Sequence, residues 1–158
     1  MSLSTLYFSF NGRIGRKAYW LGHIGLTVAT AVIAGILLAV WGEALTGAVD
    51  GMAFELVSLP AGALIATLVL EIVFTFASLA LTVKRLHDRG RTGWVALVFY
   101  APAWLNNILS QSSAEGMVFY LVSVLSLISF LAVIWFFIEL GFFRGTVGHN
   151  EYGPDPLA

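Results

Sequence analysis

Four long apolar stretches, at about residues 18–41, 57–83, 93–110 and 117–143, leave this chain few ways to fold. Three of them exceed the ~20 residues that a helix needs to cross a hydrocarbon core of ~30 Å. The third stretch is shorter and reaches ~27 Å at ~1.5 Å per residue, enough with some thinning of the bilayer. A soluble fold of 158 residues has no interior large enough for this chain, which is 59% hydrophobic and only 11% charged. Ordinary soluble domains run at roughly 45–50% and about 25%. The expected fold is therefore an all-α membrane protein, a single integral domain over 1–158 built as a bundle of four transmembrane helices.

The first stretch is read as a retained span. Arg13, Arg16 and Lys17 precede it, as in a signal peptide, but it is far longer than an h-region of about 7–15 residues, and no small-residue cleavage site is convincing. The absence of cysteine removes disulfides, thiolate metal sites and cysteine nucleophiles together.

Charge sets the orientation. Of the eight Lys and Arg residues, three precede the first span, four lie between the second and third, and one follows the fourth. The segment around Asp50 and the turn at 111–116 have none. By the positive-inside rule the basic side is the cytoplasm, so both termini are inside. Segments 1–17, 84–92 and 144–158 then form an ordered cytoplasmic cap, with 84–92 as a water-exposed loop and 42–56 as an exposed loop on the other side. Tyr7, Phe8 and Phe10 suit either a segment at headgroup level or a tail packed on the bundle. Gly22, Gly25 and Ala29, then Ala31, Gly35 and Ala39, draw two small-residue faces on the first span where another helix can approach closely.

Three motifs meet on the basic side: F-N-G-R-I-G-R at 10–16, K-R-L-H-D-R-G-R-T-G-W at 84–94 and G-T-V-G-H-N-E-Y-G-P-D-P at 145–156. Together they resemble the domain of unknown function 805 family, the YhaH-type bacterial inner-membrane proteins. In that family G-R-x-x-R precedes the first span, R-L-H-D-x-G-x-x-G-W follows the second, and G-x-x-G-x-N-x-Y-G-P-D-P closes the chain. The resemblance covers essentially the whole chain and implies a small multi-span inner-membrane protein, with no activity, substrate or cofactor to carry over. It draws attention to Gly12, Arg13, Arg16, Arg85, His87, Asp88, Gly90, Gly93, Trp94, Gly148, Asn150, Gly153, Pro154 and Asp155.

Two readings of the cap stay open. Arg13, Arg16, Arg85, Arg89 and Arg91 can clamp an anion such as a phospholipid headgroup, since guanidinium forks match phosphate. Alternatively they pair with Asp88, Glu139, Glu151 and Asp155 and tie the helix ends together. His87, Asp88, His149, Glu151 and Asp155 offer metal-ligand chemistry without a metal-binding spacing, and His87–Asp88 lacks a nucleophile. No metal, cofactor or nucleic acid is expected.

Inside the spans, Glu71 lies ~18 Å from the cytoplasmic end of its helix, near the bilayer midplane, on one face with Thr67, Thr75, Ser78 and Thr82. It is expected to be neutral and hydrogen-bonded across the bundle to a group such as Asn106, Asn107 or a Thr. Glu139, near the cytoplasmic end, is expected to pair with Arg16, His23 or Arg85. The functional expectation is a non-enzymatic inner-membrane protein that binds lipid headgroups or a partner protein, or a further copy of itself, at its cytoplasmic face, with Arg13, Arg16, Arg85, His87, Asp88, Arg89, Arg91, Asn150 and Asp155 in the cap. The alternative is a small transporter or channel subunit working through Glu71.

Overall fold

A computed structural model describes residues 2–47, 60–110 and 116–158, and of residues 43–47, 107 and 110 the backbone alone. The described residues form α1 (Leu3–Phe8), α2 (Arg16–Gly47), α3 (Ala61–Asp88), a 3-10 turn (Gly93–Ala96), α4 (Leu97–Ser110) and α5 (Met117–Gly141). The only β pairing among them is one isolated bridge, Asn150 to Gly153. The all-helical expectation holds.

Among the described residues three helices are long and apolar enough to cross a membrane: Arg16–Gly42, Ala61–Asp88 and Met117–Gly141. Four were expected. The third apolar stretch instead divides into the 3-10 turn and a 14-residue α4. Thr92 accepts from the Trp94 N–H and caps the turn, and Pro102 inside α4 removes one helical hydrogen bond.

Two expected loops are partly helix. α2 kinks at Trp41, with φ −125° and ψ 26°, and continues to Gly47. Asp50 and Glu55 lie outside the described residues. α3 runs on through Lys84-Arg85-Leu86-His87-Asp88, five residues into the stretch expected to be a loop in water. Nothing in that pentapeptide breaks a helix; the first breaker is Gly90. Gly90 takes φ +68°, its N–H donates to the His87 carbonyl, and the Arg91 N–H donates to the Leu86 carbonyl. That pair of bonds around a left-handed glycine is the Schellman stop, which satisfies carbonyls the helix end would otherwise orphan.

Packing is strongest at the basic end. Val83, Leu86, Ala96, Tyr100, Phe136 and Leu140 form a buried cluster there, with Phe10, Tyr19 and Phe99 against it. α2 packs along α3, with Gly22 so close to Leu81 that an added Cβ would lie 2.8 Å from it; Gly35, on the second small-residue face, has no such neighbour. α4 packs along α5, and the two hairpins meet mainly at the basic end. α1 lies on α3, where Phe8 stacks on Phe76 and the following Phe10 meets the same ring edge-on, while the Tyr7 hydroxyl donates to the Gly22 carbonyl of α2 at 2.9 Å. Of the two readings of the N-terminal aromatics, packing on the bundle is the one observed. Outer faces are largely apolar: Ile24, Val28, Val32 and Ile36 on α2, Ile65, Val69 and Ile72 on α3, and Val124, Leu127 and Leu131 on α5 are all exposed. A soluble protein buries such residues; one solvated by lipid does not.

Candidate functional site

α2 starts, α3 ends, the 3-10 turn starts and α5 ends at one place, where the charged residues gather. Asp88 is its centre. It is 3% exposed and accepts from two buried guanidiniums: Arg13, whose Nη2 lies 3.0 Å from Oδ1, and Arg85, whose Nη1 bonds Oδ2.

Most remaining donors go to main-chain carbonyls. Arg13 reaches the Thr146 carbonyl at 2.6 Å, Gly148 at 2.7 Å and Gly153 at 3.1 Å. Arg85 reaches Leu140 at 2.8 Å, Ile14 at 3.4 Å and Phe143. Lys84, with none of its surface exposed, donates to the Thr5 carbonyl at 2.7 Å and to Leu6. The physical logic is helix capping by cations. The last carbonyls of a helix lack partners and carry its partial negative charge. Lys84 meets that end of α1, and Arg85 meets that end of α5. The Trp20 indole N–H takes the Gly141 carbonyl at 3.2 Å, and Arg16 takes Phe142 at 3.0 Å.

A second ion cluster flanks the first. Oε1 of the buried Glu139 accepts from Arg89 at 3.1 Å and from Arg91 at 3.2 Å, while Arg89 also bonds the Arg144 carbonyl. Arg89 lies over the Phe143 ring and Arg91 over Trp135, both 5.5 Å from the ring centre. The expected partners of Glu139, namely Arg16, His23 and Arg85, are not the observed ones.

The C-terminal tail is folded onto α3 by the same economy of polar groups. The Thr146 N–H donates to the Asp88 carbonyl at 2.8 Å, and Asn150 Nδ2 donates to the His87 carbonyl at 2.9 Å. The His87 ring stacks flat on Tyr152, 3.9 Å apart, and its Nδ1 faces the Gly12 carbonyl at 3.2 Å. Because a carbonyl only accepts, Nδ1 is the protonated nitrogen. Asp155 was expected to pair with an arginine. It instead accepts the N–H groups of Leu157 and Gly148, which hold its carboxyl below the usual range. Glu151 is exposed and forms no ion pair among the described residues.

Of the two readings of the cap, the structural one describes its interior. Asp88 and Glu139 are its carboxylates, and Glu151 and Asp155 drop out. The space between Arg16, Arg85, Asp88, Arg144 and Asp155 is about 10 Å³, too small for a phosphate. Among the described residues no three His, Asp or Glu side chains gather as metal ligands.

Glu71 departs from expectation most. It is exposed on α3 beside Ile72 and bonds no described residue. Thr67, on the same face, turns its hydroxyl to its own Ala63 carbonyl. Asn106 Oδ1 and Ser129 Oγ are buried without a hydrogen bond among the described residues, and the Asn107 side chain lies outside the described set.

Apolar outer faces above a charged, internally bonded cap define a small integral membrane protein. The matching family model, "Protein of unknown function (DUF805)", covers residues 7–154, and the chain belongs to that family. A relative in Escherichia coli K12, "Uncharacterized protein YiiR", is 34% identical over 98% of this chain and 90% of its own. A second, "Inner membrane protein YhaI" of the same strain, is 28% identical over 99% of this chain and 92% of its own. No solved structure matches. The resemblance read from the three motifs is thus confirmed, and those motifs are the residues that build the cap.

Proposed function

We propose that this is a non-enzymatic inner-membrane protein that crosses the bilayer four times, with both termini cytoplasmic, and binds anionic phospholipid headgroups at the rim of its cap. The observation that carries the headgroup reading is a division of labour among the cations. Arg13, Lys84 and Arg85 are buried and occupied, whereas Arg16, Lys17, Arg91 and Arg144 stay at the surface. The cap brings eight cations together with four carboxylates, Asp88, Glu139, Glu151 and Asp155, a formal excess of four positive charges. Exposed Trp94, Phe142 and Phe143 border the rim, the residue types that settle at headgroup depth. A groove of about 830 Å³ beside Lys17, walled by Leu3, Leu6, Leu21 and Leu157, offers an acyl chain a place below a headgroup.

In the test, Lys17→Gln/Arg144→Gln protein is compared with the parent, both solubilised in detergent, for binding of dispersed phosphatidylglycerol and phosphatidylcholine. Surface cations near an anionic membrane contribute about 1 kcal/mol each, so the pair should weaken phosphatidylglycerol binding roughly 30-fold. Equal binding of both lipids by the parent would overturn the reading and leave a partner protein as the use of the rim.

The four-span topology is supported by the 3-10 turn and α4 taken together, which reach ~29 Å at their usual rises, and by the placing of every basic residue at one end. Reporters fused after Ala158 and within 89–92 should report cytoplasm, and reporters near Asp50 and within 111–115 the opposite side. A cytoplasmic signal within 111–115 would reduce the crossings and make α4 a re-entrant segment. Glu71, exposed and without a described partner, supports no transport path through the bundle.

A further inference from the structure

A second cavity, of about 350 Å³, lies between the two hairpins beneath the cap and is walled by α2, α3, α4 and α5. That volume is in the range of small-molecule sites, ~300–1,000 Å³. Its walls are aromatic: Trp20 on α2, Phe74 on α3, Phe99 on α4 and Phe136 and Phe137 on α5. No Lys, Arg, Asp or Glu lines it, so it offers a charged ligand nothing. Its polar groups are His23, the Trp20 indole N–H, which is taken by the Gly141 carbonyl, and four hydroxyls, those of Tyr19, Ser78, Thr82 and Tyr100.

The hydroxyls serve one another. Thr82 donates to the Ser78 carbonyl at 2.9 Å, and Tyr100 shares a 2.8 Å hydrogen bond with Ser78 and a 3.4 Å contact with Thr82. His23 is different. Its Nδ1 lies 3.0 Å from the Tyr19 carbonyl, which only accepts, so Nδ1 carries the proton. In the neutral ring Nε2 is then a lone-pair acceptor, and it has no partner among the described residues. The ring is held in place by Tyr19, 4.4 Å away.

We propose that this cavity binds a neutral, membrane-dissolved ring compound bearing a phenolic hydroxyl, an alkylphenol or a quinol, whose O–H donates to His23 Nε2. A flat ring matches aromatic walls, which favour offset or edge contacts. The hydroxyl satisfies the open acceptor, and an apolar tail would leave between the hairpins into lipid. An acyl chain alone would fill the space without using His23. A site made to pair a hydroxyl discriminates against the analogue that lacks it, because its own polar group is then left unpaired.

The test uses the full chain in nanodiscs, with 4-nonylphenol and its methyl ether as probes and tryptophan fluorescence as the readout. The phenol should bind saturably and about tenfold more tightly than the ether, the worth of one hydrogen bond. His23→Phe should abolish that preference, while His23→Gln, which keeps an acceptor, should retain it. Equal binding of phenol and ether by the parent would overturn the proposal without any variant. So would a preference that survives His23→Phe, since another group would then be the acceptor.

Discussion

Asp88→Asn is expected to destabilise the protein by about 3–5 kcal/mol, the usual loss when one partner of a buried ion pair is removed. The amide keeps the shape of the side chain and removes its charge. Arg13 and Arg85, which meet at Asp88 with almost no exposure, would then face each other across an uncharged group. Arg85→Ala belongs to the same class, because it also strips the Leu140, Ile14 and Phe143 carbonyls of their donor. Arg91→Ala is the internal control. Its side chain is 46% exposed, so its bond to Glu139 should be worth about 0–1 kcal/mol. Thermal unfolding in detergent measures all three. An Asp88→Asn protein that melts with the Arg91→Ala protein would show that the cap is not the fastening described above. Unchanged melting with loss of phosphatidylglycerol binding would assign the buried cations to a headgroup instead.

Gly145→Ala should cost about 3 kcal/mol, at the upper end of overpacking effects. A Cβ at this position would lie 2.0 Å from Asp88 Oδ2 and 2.5 Å from its carboxyl carbon. A flexible side-chain tip could move aside. This carboxylate cannot do so freely, because two guanidiniums hold it and the Thr146 N–H binds the carbonyl of the same residue. Relief must come from lifting the tail, which would undo the Arg13 bonds to Thr146, Gly148 and Gly153. The readouts are melting temperature and protease sensitivity of residues 145–158. A variant with parental melting and a protected tail would count against the close approach. Gly148→Ala, where nothing lies within 4 Å, separates packing from backbone strain, since its φ of +78° makes strain the only cost.

The sequence by itself determined the solvent of this protein, the helical character of its long segments and the residues that gather at one end. Apolar runs of that length have no other use in water or lipid, and the segregation of all eight cations needs no coordinates to see. The motifs around Arg13, Arg85 to Asp88 and Asn150 to Asp155 were equally legible as one family's cap. Only the tertiary structure decided how that cap is held. Lys84 and Arg85 read as solvated loop residues because charge ordinarily seeks water. Here they stay helical and buried because main-chain carbonyls 55 to 79 residues away in sequence accept their protons. Every residue carries a carbonyl, so such acceptors leave no mark in a sequence. Glu71 shows the other boundary. Spacing put it on a face with Thr67, Thr75, Ser78 and Thr82, but a bundle interior and a lipid tail are both apolar. Periodicity therefore tells which residues share a face and not where along it a neighbour packs: Ser78 and Thr82 are buried at the basic end of that face, while Glu71, further along, is left exposed.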